Sequence, residues 1–552
     1  MIYSNKKLAQ LVIEYCGAFE VKHVVISPGS RNAPLTIGFT NHSQIKAYSI
    51  VDERCAAFFA LGIAQQTQKP VALVCTSGSA LLNYYPAVAE AFYSDIPLIV
   101  ISADRPKHLI DIGDGQTIRQ ENVFKNHSLY NANLVDDERS MNENTKQLKI
   151  AVQTAIQKKG PVHINIPFDE PLYETTNKLL VKNIVSENNI IETKQILNLE
   201  EYVSLWNDSK KKLVLVGAHF PNKNLQAQLT ELAKDESVLV LTETTSNMHH
   251  PSFIISIDKL IFPLTDKEFK KLQPDILLTL GGMIVSKKVK QFLRRYKPKH
   301  HWHIDVKNAL DTYHCLTHHF RVKDTAFFDN FLELAKPVKS DYQKDGLTLK
   351  LKRKEKHDQF LTSAEFSDLK VFDVVLDTIP NNSLLQLGNS SIIRYSQLFD
   401  INNSLIVFCN RGTSGIDGST STAIGASCVT NNRTVFITGD ISFFYDSNAL
   451  WNNYIKNNFR IILINNGGGG IFRFIPGPSS TNVLNYFETP HHLSAKQLCE
   501  MFQFEYCIAK NENELKQELR NFYQDENTAK LLEVFTPSTL NDEMLKRYFN
   551  AL

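Results

Sequence analysis

Oxygen-bearing residues that could hold a metal ion follow two neighbouring apolar runs in the last third of the chain. The run 435–438 stops at Gly439 and Asp440, and the run 461–464 stops at two asparagines and four glycines. A segment of helical length joins the runs, which predicts two buried parallel strands that end side by side. Ligands of open α/β sheets bind where such strands end. A carboxylate, an amide oxygen and backbone carbonyls suit Mg²⁺ that holds a phosphate group.

The simpler interpretation of this stretch is two ordinary turns, because Gly-Asp and Asn-Gly pairs are common where strands end. The spacing favours the metal site. Twenty-four residues separate Asp440 from Asn465, which resembles the thiamine-diphosphate signature of a Gly-Asp pair followed by an Asn-Asn pair. The residue after the aspartate of that signature is often glycine, whereas here it is Ile441.

Composition indicates a large globular protein. The 552 residues predict three or four domains. The 60 basic and 58 acidic residues nearly cancel, which excludes nucleic-acid binding through bulk charge. No apolar run is long enough for a membrane helix, and the N-terminus lacks the apolar core of a signal peptide. The eight cysteines contain no Cys-x-x-Cys pair, so we expect free thiols in a cytoplasmic protein with no membrane insertion.

Strands and helices alternate along the whole chain, which predicts an α/β protein with three consecutive doubly wound parallel-sheet domains. Polar stretches from about residue 172 and from 338 to 357 are predicted to be linkers. The predicted domains are 1–175, 190–337 and 355–552.

The first predicted domain has three places where a charged residue follows a strand. Ser30 and Arg31 close the first strand, where a helix N-terminus would favour an anion and the arginine could clamp a carboxylate. A solvated arginine at an ordinary turn is the alternative. Glu53 begins an apolar helix and is either a favourable charge at the helix N-terminus or a buried acid that contacts a heterocycle. Arg105 ends a later strand, and Gln116 follows a Gly-Asp-Gly loop.

The other two domains place further candidates at strand ends. Lys287 and Lys288 follow a strand and could bind an anion, although most lysine pairs are solvated. Ser390 and Arg394 are four residues apart and share one face of a short helix. Arg411 lies in the polar loop 410–418. The G-x-G-x-x-G pattern of nicotinamide and flavin proteins is absent from the middle domain.

Eight short motifs, taken in order, resemble one family. They are S-P-G-S-R, D-E-R, S-A-D-R-P, I-R-Q, G-N-S-x-x-x-R, N-R-G-x-S-G-I-D-G, G-D-x-S-F and N-N-G-G-G-x-I-F. The set resembles the 2-succinyl-5-enolpyruvyl-6-hydroxy-3-cyclohexene-1-carboxylate synthases of menaquinone synthesis, which use thiamine diphosphate. The match runs from about Ser27 to Phe474. Two departures are a Gly-Asp-Gly before Gln116, where the family more often has Gly-Ala-Asn, and Asn-Asn-Gly in place of Asn-Asn-Asn.

The resemblance implies a reaction and its partners. A member of this family decarboxylates 2-oxoglutarate and adds the succinyl carbanion equivalent to isochorismate in a 1,4 fashion. The cofactors would be thiamine diphosphate and Mg²⁺, with Mn²⁺ as an alternative metal. The active site would be shared between subunits of a homodimer or homotetramer, with Glu53 and Asp440 supplied by different chains.

The resemblance also assigns roles to individual residues. Glu53 would contact N1′ of the cofactor and favour its imino tautomer, and Ile416 would wedge beneath the cofactor. Asp440, Asn466 and the Gly468 carbonyl would bind the metal. The implied catalytic residues are Glu53, Arg31, Gln116 and Arg394. The implied substrate-binding residues are Ser30, Arg31, Arg105, Gln116, Lys287, Lys288, Ser390, Arg394 and Arg411. The implied cofactor-binding residues are Glu53, Asn389, Ser414, Gly415, Ile416, Gly439, Asp440, Ile441, Ser442, Asn466, Gly468, Gly469, Ile471 and Phe472.

Two other functions are compatible with these residues. Another thiamine-diphosphate 2-oxo acid decarboxylase or carboligase would keep the cofactor residues but needs fewer arginines. A non-catalytic metabolite-binding relative would keep the fold without needing Glu53.

Overall fold

A computed structural model describes residues 2–182, 184, 198–474, 477–524 and 527–552. Its strands form three six-stranded sheets in which all neighbouring strands are parallel. Helices pack on both faces of each sheet. The strands are continuous apolar runs, which need to be covered on both sides. This confirms the predicted fold class of three doubly wound parallel-sheet domains. The domain boundaries 1–175, 190–337 and 355–552 stay predictions.

The first and last sheets have the same strand order, and the middle sheet has another. In spatial order the first sheet contains Lys46–Ser49, His23–Ile26, Val71–Cys75, Leu98–Asp104, Val162–Pro167 and Tyr130–Asn133. The last contains Ile406–Cys409, Leu384–Leu387, Thr434–Gly439, Phe459–Asn465, Lys530–Phe535 and Glu505–Ala509. The middle sheet contains Phe253–Ile254, Val238–Thr242, Lys212–Val216, Ile276–Leu280, His300–Ile304 and His318–Phe320. Tyr3–Ser4 pairs antiparallel with Thr175–Thr176.

Helices fill the connections between strands. Those around the first sheet are Lys7–Ala18, Ala33–Asn41, Glu53–Thr67, Ser79–Asn83, Tyr85–Tyr93 and Met141–Lys158. Those around the middle sheet are Glu200–Asp208, Lys223–Leu232, Ile257–Ile261, Asp266–Leu272, Lys287–Arg295, Asp324–Leu334 and Tyr342–Ser363. Those around the last sheet are Asp368–Leu376, Ser391–Ser396, Ser419–Ser427, Asp440–Tyr445, Ile471–Phe474, Leu484–Glu488, Lys496–Phe502, Glu512–Phe522 and Leu540–Ala551. Within the described ranges, every helix is too short or too polar to span a bilayer.

The predicted linker at 338–357 is wrong, because most of it lies in the 22-residue helix Tyr342–Ser363. The buried positions of this helix are 342, 346, 353, 357 and 361, which follow helical spacing. Three of these five positions hold glycine, arginine and histidine, so the buried face does not appear as an apolar stripe. Of the first predicted linker, residues 183 and 185–197 lie outside the described part of the chain.

The first and last sheets are joined through two helices that touch closely. Helix Glu53–Thr67 packs on helix Ser419–Ser427, and one hydrophobic cluster runs from the first sheet through both helices into the last sheet. The contact depends on two glycines. A Cβ atom on Gly62 would lie 2.1 Å from the Thr422 carbonyl oxygen, and one on Gly425 would lie 2.0 Å from that of Phe59. The two sheets are therefore held in a fixed relation by this helix pair.

Candidate functional site

Asp440 lies at the carboxyl edge of the last sheet, where strand Thr434–Gly439 passes directly into helix Asp440–Tyr445. The next strand, Phe459–Asn465, is its parallel neighbour and ends at the same edge. The buried Asp440 carboxylate accepts hydrogen bonds from the backbone N–H groups of Gly467 at 2.8 Å and Gly468 at 3.0 Å. The predicted meeting of these two strand ends is thus present, and Asp440 fixes the glycine loop that follows Asn466.

The two adjacent asparagines have different surroundings. The amide nitrogen of Asn465 donates to the Leu493 carbonyl and, at 2.7 Å, to the buried Glu533 carboxylate. The amide nitrogen of Asn466 donates to Asp368 at 2.9 Å. The side-chain oxygen of Asn466 is buried and has no hydrogen-bond partner among the described residues. Because buried polar atoms are almost always paired, this oxygen is a free acceptor, and it directly precedes the glycines that Asp440 holds.

These atoms fit a magnesium ion that also holds a diphosphate. They offer a carboxylate, an amide oxygen and loop carbonyls, which are the hard oxygen ligands that Mg²⁺ prefers. Within the described ranges there is no group of three or more His, Cys, Asp or Glu residues able to hold a metal by themselves. A site with so few protein carboxylates suits a metal that takes its remaining ligands from phosphate oxygens and water.

Gly468 shows why this loop needs glycine. Its φ is +153°, and a Cβ atom there would lie 2.7 Å from the Glu488 carbonyl oxygen. Any other residue would be strained and would collide with backbone. The loop can therefore present its Gly467 and Gly468 N–H groups to Asp440 only with this composition.

His491 and Glu488 also border the loop 466–470, here called the metal loop, although no sequence motif points to them. The Nε2 atom of His491 lies 3.4 Å from the Asp440 carboxylate, and its backbone N–H donates to the Gly467 carbonyl. Glu488 forms an ion pair with Arg473 at 2.5 Å, and its carbonyl accepts the Gly469 N–H. Both lie about twenty residues beyond the loop in a segment without a motif, so only the fold brings them here.

The loop 410–418 lies beside the metal loop at the same edge of the sheet. The amide nitrogen of Asn389 donates to the carbonyls of Asn410 and Gly415, both at 2.7 Å. Arg411 donates to the Asn389 side-chain oxygen at 2.7 Å. The Ser442 hydroxyl donates to the Ile416 carbonyl at 3.0 Å. The structure thus brings together predicted cofactor residues from four separate segments of the last domain.

A buried carboxylate of the first domain holds this loop. Glu90 accepts the N–H groups of Gly412 at 2.7 Å and Thr413 at 2.6 Å, together with the Thr413 and Ser94 hydroxyls. Glu90 is 1% exposed. Hydrogen bonds to an ionised carboxylate are stronger than neutral ones. The loop is therefore positioned from outside its own domain.

A similar arrangement holds the loop with Lys287 and Lys288. The buried Glu243 carboxylate accepts the N–H groups of Val285 and Ser286, each at 2.7 Å. Burial raises the pKa of Glu243 to about 7. The Ser286 hydroxyl caps helix Lys287–Arg295 by accepting the Val289 N–H. Lys288 lies 4.2 Å from the centre of the Phe262 ring, whereas Lys287 is exposed.

The four arginines predicted to bind substrate form two pairs. The buried Arg31 donates to the Phe168 carbonyl at 2.9 Å, and burial together with nearby Arg105 lowers its pKa. Arg105 lies 3.5 Å from Asp114. In the last domain, burial and nearby Arg411 lower the pKa of Arg394. Two clustered pairs of cations suit ligands that carry carboxylates at more than one position.

The remaining predicted substrate residues lie in loops with unusual backbone. Ser390 has φ of +67° and its carbonyl accepts from Arg394 at 2.5 Å, so its hydroxyl is not the group that Arg394 contacts. Gln116 has φ of +58° and is exposed, and its backbone lies beside Gly78. Ser30 is also exposed at the edge of the first sheet. The neighbouring Gln120, which was not selected, is buried and accepts the Gly78 N–H at 2.8 Å.

Glu53 differs from all these acids, because within the described residues its carboxylate forms no hydrogen bond or ion pair. Its neighbour Asp52 is the helix cap, accepting the Cys55 N–H at 3.1 Å. Asp52 also accepts from Asn448, and Arg54 donates to the Tyr445 carbonyl. These contacts lie at the C-terminal end of helix Asp440–Tyr445, whereas Asp440 begins it. The segment around Glu53 is thus anchored at the C-terminal end of this helix.

Family models and relatives agree on the kind of enzyme that this arrangement resembles. Residues 6–128 match the N-terminal TPP binding domain of thiamine pyrophosphate enzymes, residues 184–387 the middle domain of thiamine pyrophosphate enzymes, and residues 387–534 their C-terminal TPP binding domain. Three similar proteins are each named 2-succinyl-5-enolpyruvyl-6-hydroxy-3-cyclohexene-1-carboxylate synthase. They come from Flavobacterium johnsoniae (58% identical), Flavobacterium psychrophilum (57%) and Christiangramia forsetii (53%), each covering 100% of both chains.

Proposed function

Because the chain belongs to the 2-succinyl-5-enolpyruvyl-6-hydroxy-3-cyclohexene-1-carboxylate synthases, which are thiamine-diphosphate-dependent enzymes, we propose that it joins 2-oxoglutarate to isochorismate. The reaction releases CO₂ and gives the named product for menaquinone synthesis. Thiamine diphosphate, when bound, supplies a nucleophilic carbon and an electron sink for decarboxylating a 2-oxo acid and transferring the remainder. The eight unpaired cysteines accord with the reducing cytoplasm as the place of action.

The metal half of the site is proposed to consist of Asp440, the Asn466 side-chain oxygen and the Gly468 carbonyl. The observation that carries this proposal is the buried, unpaired Asn466 oxygen, which directly precedes the glycines that Asp440 holds. Gly439, Ile441, Gly469, Ile471 and Phe472 surround these ligands in sequence. Mg²⁺ is the proposed metal, and Mn²⁺, which accepts the same oxygen ligands, is the alternative.

The cofactor's other end is proposed to be bound by Glu53 from a second copy of the chain. Glu53 would accept a hydrogen bond at N1′ of the aminopyrimidine and so hold the tautomer that carries out proton transfer. Support comes from its unpartnered carboxylate and from the contacts of Asp52 and Arg54, which hold this segment at the C-terminal end of the helix that Asp440 begins. A homodimer is then the smallest active unit, and a homotetramer is the alternative.

Two pairs of cations are proposed to divide the substrates between them. Arg394 and Arg411, with Ser390 near them, would bind the distal carboxylate of the 2-oxoglutarate unit. Arg31 and Arg105 would bind isochorismate, with Ser30, Gln116, Lys287 and Lys288 at the rim. Since the two pairs lie in different domains, each substrate would be held by its own set of fixed positive charges.

The proposed reaction is tested with purified protein, thiamine diphosphate and Mg²⁺. CO₂ release from 2-oxoglutarate should be accompanied by equimolar consumption of isochorismate. Replacing 2-oxoglutarate by pyruvate should abolish both. Turnover of pyruvate without isochorismate consumption would instead support another 2-oxo acid decarboxylase, and absence of any turnover in folded, cofactor-loaded protein would support a metabolite-binding relative.

A further inference from the structure

A second cluster of positive charge lies outside the candidate active site, in a small pocket that is partly open to solvent. Helix Ile257–Ile261 forms one wall and helix Tyr342–Ser363 the other, and Asp400 of the last domain lies at the mouth. Four basic side chains line the pocket against this one carboxylate. They are Lys259, Lys350, Arg353 and Lys354. The pocket shares no lining residue with the site described above.

Arg353 is the residue that makes this pocket unusual. It is 7% exposed, and its guanidinium forms no hydrogen bond or ion pair with any residue in the described part of the chain. Burial lowers the pKa of Arg353, and the negative charge of Glu268, which does not contact it, partly offsets this. A guanidinium stays charged in proteins and carries five N–H donors. The Nε atom of Arg353 is buried, and a buried donor without an acceptor is unfavourable.

Lys259 faces the same pocket from the other helix. It is 4% exposed, and its nearest carboxylate oxygen, on Asp400, lies 3.9 Å away. That oxygen already accepts the Ser256 hydroxyl at 3.0 Å. The other two cations have partners. Lys350 donates to the Pro251 and Phe253 carbonyls at 2.9 and 2.8 Å, and Lys354 pairs with Asp358 at 2.8 Å. Arg353 and Lys259 are therefore the two cations whose donors are available.

We propose that this pocket binds a small oxyanion of the phosphate class between Arg353 and Lys259. The planar guanidinium can donate two parallel hydrogen bonds to such an anion, and the lysine supplies a second charge from the opposite wall. The excess of cations over carboxylates in the lining gives the net attraction. The two walls and Asp400 belong to separate segments of the chain. The bound anion would therefore contact both the middle domain and helix Tyr342–Ser363, and it would stabilise the folded state by mass action.

Binding is tested by titrating inorganic phosphate into the holoenzyme at constant ionic strength, followed by isothermal calorimetry. Saturating thiamine diphosphate and Mg²⁺ keep the active site filled. We expect one saturable phosphate site per chain, weakened at least about tenfold by Arg353→Gln, as loss of a bidentate charged contact implies. Lys352→Gln, an exposed neighbour on the same helix, is the matched control and should leave affinity within about twofold. Absence of saturable binding, or equal binding by Arg353→Gln, overturns the proposal.

Unfolding in urea provides a second test, which does not require a calorimetric measurement of phosphate binding to the Arg353 variant. Without phosphate, Arg353→Gln should be at least as stable as the natural chain, because it removes a buried unpaired charge. Added phosphate should raise the unfolding midpoint of the natural chain and of Lys352→Gln, but not that of Arg353→Gln. Equal stabilisation of all three, or equal stabilisation by chloride at matched ionic strength, contradicts a phosphate site at Arg353.

Discussion

Glu53 and Glu90 lie on neighbouring helices of the same domain, and their carboxylates have opposite surroundings. Glu90 is buried and receives four hydrogen bonds, two of them from consecutive N–H groups of the loop 410–418. Glu53 receives none from the described residues, although both of its neighbours in sequence are anchored. The same domain therefore holds a loop of the last domain through Glu90 and leaves the Glu53 carboxylate uncommitted.

Glu243 and Asp440 extend this comparison. Each accepts two consecutive backbone N–H groups from a loop that carries proposed ligands. A carboxylate that holds a pair of N–H groups fixes a loop before any ligand arrives, which lowers the entropy cost of binding. Loops held in this way do not need a partner chain, whereas Glu53 is proposed to act on a cofactor bound by one. The difference predicts which substitutions damage folding and which damage only chemistry.

Glu53→Gln should have the largest effect on turnover and the smallest on structure. The amide cannot replace the ionised acid at N1′, so kcat should fall roughly 10²–10⁴-fold, the usual contribution of a general acid–base group. Urea unfolding should change little because Glu53 holds no part of its own chain. Turnover is followed by CO₂ release, and Asp52→Asn serves as the neighbouring control. Full activity in folded Glu53→Gln would falsify the assignment.

Glu90→Ala should instead act through the loop. Removing the carboxylate leaves the Gly412 and Thr413 N–H groups unpaired, which should lower the free energy of unfolding by about 3 kcal/mol. Trypsin should also cleave faster after Arg411, because the following N–H is no longer held. Glu90→Gln keeps one acceptor oxygen, so its stability and its rate of cleavage should lie between those of the natural chain and of Glu90→Ala. Unchanged cleavage at Arg411 in Glu90→Ala would show that the loop is positioned by other contacts.

Glu243 provides a pH-dependent version of the same comparison. Burial raises its pKa from 4.5 to about 7, so between these values the folded chain keeps a proton that the unfolded chain has released. The free energy of unfolding therefore falls as pH rises from about 4.5 to about 7, by at most about 3 kcal/mol, and is level above that range. Glu243→Gln cannot titrate. The difference between the two unfolding free energies should change across this window, and a constant difference would contradict the raised pKa.

The fold class and the two strand ends at Asp440 and Asn466 could be predicted from the sequence, because buried strands and their turns leave local signals. The carboxylates that hold the loops could not. Glu90 lies 322 residues from Gly412, and Glu243 lies 42 residues from Val285. Glu90 lies within an ordinary helix and Glu243 directly after a strand. Helix Tyr342–Ser363 was missed for a related reason, since glycine, arginine and histidine occupy much of its buried face.

The two asparagines provide the smallest and most closely matched test. In each, alanine removes an amide that donates to one buried carboxylate, Asp368 for Asn466 and Glu533 for Asn465. Asn466→Ala should therefore lose about 1–3 kcal/mol of stability, and Asn465→Ala more, because Asn465 also donates to the Leu493 carbonyl and accepts the Gly467 N–H. Only Asn466 has an unpaired side-chain oxygen, so Asn466→Ala should weaken Mn²⁺ binding more, by about tenfold, measured by electron paramagnetic resonance with thiamine diphosphate present. Equal metal affinities in the two variants would assign the pair to loop structure alone and leave Asp440 and the backbone carbonyls as the ligands that the chain supplies.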